Sequence, residues 1–139
     1  MAESETDKVA FELVSPERLL VTQDVDMVVV PGEEGYFGVL PGHALFMSSL
    51  RSGVVEIHNA GGITDRVFVA GGFAEVTPKR CTVLAEEAIA LGDIDRGSAE
   101  ARLKDAEQAV SDAPDDDERA KAEAARDVAL ALIEAIDTQ

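Results

Sequence analysis

The spacing of apolar residues changes once along the chain, at Leu91-Gly92-Asp93, and that change limits what the molecule can become. Before it, apolar side chains recur at every second position in short runs, the period of a strand with one buried face. After it, they step by four and three, the period of one helix face. The strand candidates are residues 9–14, 18–22, 25–30, 36–40, 44–51, 54–58, 63–69, 73–76 and 80–85. Their partitions are Ser15-Pro16, Pro31-Gly32, Pro41-Gly42, Ser52-Gly53, Gly61-Gly62, Gly71-Gly72 and Thr77-Pro78. Many short strands separated by Gly and Pro turns read as a sandwich or barrel.

Beyond the change, Asp93 or Asp95 can cap a helix by accepting from its free amide groups. Ala99, Leu103, Ala106 and Val110 then form one stripe, broken at Ser111-Asp112-Ala113-Pro114. The acids of Asp115-Asp116-Asp117-Glu118 mark the start of a second helix, whose stripe is Ala122, Ala125, Val128 or Ala129, Leu132 and Ala135 or Ile136. A short link between two helices implies an antiparallel hairpin. Each helix, of about 18 residues, is roughly 27 Å long. Its inward positions are mostly alanine, and each Ala in place of Leu forgoes about 2 kcal/mol of burial. Such a hairpin is marginal alone and a candidate for movement.

Composition removes several functions. A net charge of −16 leaves no basic patch for nucleic acid or for anionic lipid. One cysteine, Cys81, excludes an internal disulfide and a cysteine zinc cluster; in Arg80-Cys81-Thr82-Val83-Leu84 it reads as a packed thiol. No run approaches the roughly 20 apolar residues of a membrane span. The acidic residues 1–7 lack the apolar segment of a secretory signal, which implies a reducing compartment.

No catalytic or metal-binding constellation stands out, and no cofactor is expected. His43 and His58 fall in no metal spacing. Ser48, Ser49 and Ser52 lack a nucleophile elbow. Glu33-Glu34 and Glu86-Glu87 are adjacent acids, which in a strand point to opposite faces and make poor acid/base couples. The unusual feature is the run Pro31-Gly32-Glu33-Glu34-Gly35-Tyr36-Phe37-Gly38-Val39-Leu40-Pro41-Gly42-His43-Ala44. Four glycines and two prolines fix a contorted path carrying an aromatic pair and two acids. It reads either as tight turns joining strands, or as a rigid contact tip anchored by Tyr36 and Phe37 and drawing a basic partner to Glu33 and Glu34.

The pattern Gly32-x-x-Gly35-x-x-Gly38-x-x-Pro41-Gly42-His43-Ala44 closely resembles the epsilon subunits of F-type ATP synthases, equivalent to the mitochondrial delta subunit. The match continues through Gly71-Gly72-Phe73-Ala74-Glu75-Val76 and Val83-Leu84-Ala85-Glu86-Glu87-Ala88-Ile89 into the tail. The resemblance implies a ten-stranded β-sandwich at residues 8–91 and an antiparallel two-helix hairpin at 93–138. It also implies a non-catalytic rotor role, carrying torque between the proton-driven c-ring and the gamma subunit below the catalytic alpha/beta head. By position, Glu33, Glu34, Tyr36 and Phe37, with His43, would face the basic c-ring loops. Gly71, Gly72, Glu75 and Glu86 would lie nearer gamma. The expected location is peripheral, on the cytoplasmic face of a bacterial inner membrane; an organellar origin stays open.

The hairpin departs from the family pattern. An I/L-D-x-x-R-A motif associated with ATP binding survives here as Ile94-Asp95-Arg96-Gly97-Ser98-Ala99, with Ser98 in the arginine position. Arg96 lies two residues early, about 200° around the helix, and Ser98 lacks the charged donors a phosphate favours. The second helix carries only Arg119, Lys121 and Arg126 among many acids, whereas inhibitory relatives use basic residues against the head. The resemblance therefore implies weak nucleotide sensing and weak self-inhibition. Two rivals are a free-standing adaptor β-domain with an interaction hairpin, and a small hydrolase using His43 with Glu33 or Glu34.

Overall fold

The computed structural model describes residues 8–16 and 18–138. The acidic amino-terminal stretch, residues 1–7, lies outside them. The chain divides into two units, residues 1–90 and 91–139.

Among the described residues, alternation in the first unit becomes eight strands. They are β1 (Val9–Ser15), β2 (Arg18–Val25), β3 (Met27–Gly32), β4 (Gly35–Val39), β5 (Phe46–Ser49), β6 (Gly53–Asn59), β7 (Gly62–Val76) and β8 (Arg80–Ala90). All join one hydrogen-bonded sheet in the order β2-β1-β8-β7-β6-β3-β4, with β5 paired to β7. Among the described strands only β1 and β8 run parallel. Val9, Phe11 and Leu13 of β1 share a core with Val28 and Val30 of β3, Val55 and Ile57 of β6, and Cys81 and Val83 of β8. Strands distant in the pairing order thus face one another across a common interior, which makes the sheet a sandwich folded over itself.

The expected ten strands are corrected to eight, and the reason lies in β7 and β8. The first half of β7 pairs with β6 and its second half with β5. Between them Gly71 and Gly72 adopt φ of +72° and +97°, a region closed to most side chains. They bend the strand without breaking its register with β8, so the runs expected at 63–69 and 73–76 are one strand. β8 follows the same corner, pairing with β1 only through residues 80–84. Each long strand therefore serves both layers. Two smaller corrections accompany this: Val25 closes β2 rather than opening β3, and the run at 44–51 yields only the four residues of β5.

The second unit opens with a 3-10 turn at Leu91–Asp93, followed by α1 (Arg96–Asp112) and α2 (Asp116–Asp137). Of the two capping candidates, Asp95 caps α1, accepting from the Ser98 amide, and Asp115 caps α2, accepting from the Glu118 amide. The Arg96 guanidinium at the start of α1 pairs with Asp137 at the end of α2, so the helices are antiparallel. Ala99, Ala106, Ala122, Ala129, Leu132 and Ala135 are buried along the stripes, while Leu103 and Val110 are half-buried. Ala125, expected on the inner stripe, is exposed. The inner face of α2 steps through 122, 129, 132 and 135 instead.

Candidate functional site

Glu33 and Glu34 occupy the turn between β3 and β4, whose ends Gly32 and Gly35 are register partners. The turn is held to β5 by the Glu33 amide donating to the Ser49 carbonyl at 2.9 Å and by a bridge between Gly32 and Leu50. Neither carboxylate has a side-chain partner among the described residues. Both remain free to meet an external cation.

Two glycines let the aromatic pair lie flat. A Cβ on Gly32 would meet the Phe37 ring at 2.8 Å, and one on Gly53 would meet the Tyr36 hydroxyl at 2.5 Å. Phe37 turns towards the core and stacks edge-on against Phe46, ring centres 5.1 Å apart and planes at 80°. Tyr36 faces the other way, 59% exposed, with its hydroxyl accepting from the Val54 amide at 3.1 Å. A surface groove of about 480 Å³ runs between Glu33, Glu34, Tyr36, Phe37, Phe46 and Met47.

His43 sits in the following turn. Its amide donates to the Leu40 carbonyl, and the Gly42 amide donates to the Pro78 carbonyl at 2.8 Å, tying the turn to the β7–β8 connection. The Nδ1 of His43 lies 2.8 Å from the Ala44 carbonyl, which can only accept, so Nδ1 carries the proton. The ring lies 6.4 Å from that of Phe46. No described hydrogen bond or ion pair joins His43 to Glu33 or Glu34, so the acid/base couple of a hydrolase is not assembled.

The local pattern marks Tyr36 and Phe37 but not the exposed Phe46 and Met47 beside them. They join the tip because β5 pairs with the distant end of β7, a contact that no local period signals. The second predicted surface lies around the corner of the sheet. There Glu86 folds its carboxylate over Gly71, and a Cβ on Gly72 would stand 1.8 Å from the Leu84 carbonyl oxygen. Glu75 and Glu86 point outward from β7 and β8, beside a groove of about 310 Å³ lined by Val14, Phe73 and Leu84. Cys81, by contrast, is buried and its thiol is pushed up to about 12 by desolvation, which keeps it out of nucleophilic chemistry.

In the hairpin, the residues of the degenerate motif are occupied within the fold. Asp95 accepts from both the hydroxyl and the amide of Ser98, each at 2.8 Å, and these bonds hold its carboxyl below the ordinary value. Arg96 is paired with Asp137 and lies 3.8 Å from Glu100. Ile94 is half-buried and Ala99 buried. The described residues contain no group of His, Cys, Asp and Glu placed to hold a metal ion.

Residues 8–91 match the family of the ATP synthase delta/epsilon chain β-sandwich domain. The ATP synthase epsilon chain of Paramagnetospirillum magneticum is 52% identical over 130 residues, covering 94% of this chain and 98% of that one. The epsilon chain of Rhodospirillum rubrum is 50% identical over 125 residues, with 90% and 93% covered. Among solved structures, a chain of the Euglena gracilis mitochondrial ATP synthase, resolved with OSCP, F1 and c-ring, superposes with a TM-score of 0.81. It shares 26% identity, over 94% of this chain and 82% of its own. A chain of the Tetrahymena thermophila central stalk and c-ring shares the fold, with a TM-score of 0.61 at 13% identity and 94% and 98% coverage.

Proposed function

The chain belongs to the ATP synthase delta/epsilon family as a non-catalytic subunit of the central stalk, and from that premise we propose how its two units divide the work. Residues 8–91 are the seating domain of the rotor and residues 93–138 its arm. The tip at Glu33, Glu34, Tyr36 and Phe37, with His43, Phe46 and Met47, meets the c-ring. The corner surface at Gly71, Gly72, Glu75 and Glu86 meets the gamma subunit. Torque passes from ring to gamma through a close-packed sandwich that deforms little under load. The chain is peripheral, on the cytoplasmic face of a bacterial inner membrane; no described helix is long and apolar enough to cross one.

The observation that carries this reading is the convergence, at one end of the sheet, of exposed aromatic and thioether side chains with two unpartnered carboxylates. Such a patch supports an interface in which rings supply desolvated area and acids select a basic partner. Affinity purification of the full chain from its native membranes should recover both gamma and the c-ring. Tyr36→Ala with Phe46→Ala should release the ring, each truncation costing about 2 kcal/mol, while gamma stays bound. Retention of the ring by that double variant would remove the tip from the interface.

For the arm we propose weak nucleotide sensing and weak inhibition through the alpha/beta head. Ser98 stands where the family motif has arginine, and both Asp95 and Arg96 are already engaged inside the hairpin. Calorimetry of the isolated chain with ATP should show no binding in the micromolar range, and micromolar affinity overturns the first half. Deleting residues 93–139 should raise hydrolysis by the whole enzyme only slightly; a many-fold rise overturns the second.

A further inference from the structure

The outer face of the folded sheet carries a pattern visible only in the strand register. Leu13, Ala74, Val83 and Ala85 are buried, so their neighbours Val14, Phe73, Leu84 and Glu86 face outward. Val14 pairs with Leu84 and Leu84 with Phe73, which sets three apolar side chains in one row across β1, β8 and β7. Phe73 is 41% exposed and Leu84 37%. Two residues along the strands the next row reads Glu12, Thr82, Glu75. Two residues the other way, β8 presents Glu86 beside side-chain-free Gly71. None of Glu12, Glu75 and Glu86 has a side-chain hydrogen-bond or ion-pair partner among the described residues. An apolar row thus lies between the unpaired carboxylates of Glu12 and Glu75 on one side and that of Glu86 on the other.

We propose that this row is a seat for one amphipathic helix whose apolar ridge is flanked on both sides by Lys or Arg. Neighbouring strands stand about 4.8 Å apart, close to the roughly 5.4 Å of one helical turn. Ridge residues at i, i+3 or i+4, and i+7 therefore match Val14, Leu84 and Phe73 one for one. Glu12 and Glu75 lie about 7 Å to one side and Glu86 about 7 Å to the other, under the flanks of a helix about 10–12 Å in diameter. The groove of about 310 Å³ between Pro16, Phe73 and Leu84 takes the largest ridge side chain. This inference rests on the assignment of the corner surface to gamma, and it names the element of gamma that docks there.

The test titrates the full chain against purified gamma subunit over a range of salt. Phe73→Ser with Leu84→Ser should weaken binding about 100-fold at every salt concentration, as truncated apolar anchors do. Glu12→Gln with Glu75→Gln and Glu86→Gln should cost about tenfold at low salt and flatten the salt dependence. Tyr36→Ala with Phe46→Ala should bind gamma as the parent does. All these side chains face outward, so unchanged thermal unfolding identifies variants that fold. Amide exchange in the complex should show new protection at residues 12–14, 73–75 and 82–86. If gamma binds the parent and both corner sets equally well, the helix seat is wrong while gamma binding stands. If the parent itself does not bind gamma, the assignment of this surface falls and the seat with it.

Discussion

The two units of this chain bury their interiors in opposite ways. The sandwich encloses large side chains: Phe11, Leu13, Val28, Val30, Val55 and Ile57 are fully buried in one cluster, sealed by a continuous hydrogen-bonded sheet. The hairpin buries alanines along both helices, with Leu132 the one large side chain fully enclosed among its described helical residues. What it lacks in burial it makes up at its ends, through the Asp95 and Asp115 caps and the Arg96–Asp137 pair. Stability in the first unit is therefore collective, whereas in the second it depends on a few polar contacts open to solvent. That division leaves the sandwich to open only as a whole, while the hairpin can open locally.

The largest expected effect tests the collective character of the sandwich. Gly72→Ala puts a Cβ against the Leu84 carbonyl from a backbone at φ +97°, and neither strand can retreat without breaking register. We expect a loss of about 3 kcal/mol or more, read by denaturant unfolding, because left-handed strain and a main-chain clash combine. A loss under about 1 kcal/mol would mean that the corner is soft and that the sandwich is not held collectively. Leu132→Ala is the hairpin's counterpart. It should cost about 2 kcal/mol within α1 and α2, seen as faster amide exchange there, with little change in the exchange of β1, β3 and β6.

Much of this division was legible in the sequence, because period is a local property. Alternation marked the strands, and the switch after Leu91 marked the hairpin and one of its two capping candidates. What escaped was non-local. Gly71-Gly72 reads like the turn glycines at Gly61-Gly62, yet it bends β7 without ending it, so two expected strands are one. Phe46 and Met47 were invisible as tip residues until β5 was placed beside the far end of β7. The row of Val14, Leu84 and Phe73 draws on three strands and has no signature in any one of them. In the hairpin, Ser98 stands where the family motif has arginine, and the structure adds that it is a partner of the cap.

That cap yields the smallest prediction and the sharpest for the polar half of the comparison. The Ser98 hydroxyl, and then its amide, hold the Asp95 carboxyl below its ordinary value of 3.8. A carboxyl with a depressed folded pKa stabilises the fold fully above its unfolded value, and that stabilisation is lost as pH falls through the folded one. Protection of the Ser98 and Ala99 amides, corrected for intrinsic exchange, should therefore be flat above pH 3.8 and decline below it. Asp95→Asn keeps a good cap but cannot titrate, so its protection should stay flat through the same acid range. Asp26, held down mainly by its bond from Lys8, titrates in the same direction within the sandwich, which supplies an internal control. Its acid loss should appear at the Ala60 amide it accepts from and be untouched by Asp95→Asn. An equal acid loss at Ser98 in parent and variant would show that the hairpin's first turn is not held by this carboxylate. The contrast between collective and local stabilisation would then fail at its most exposed point.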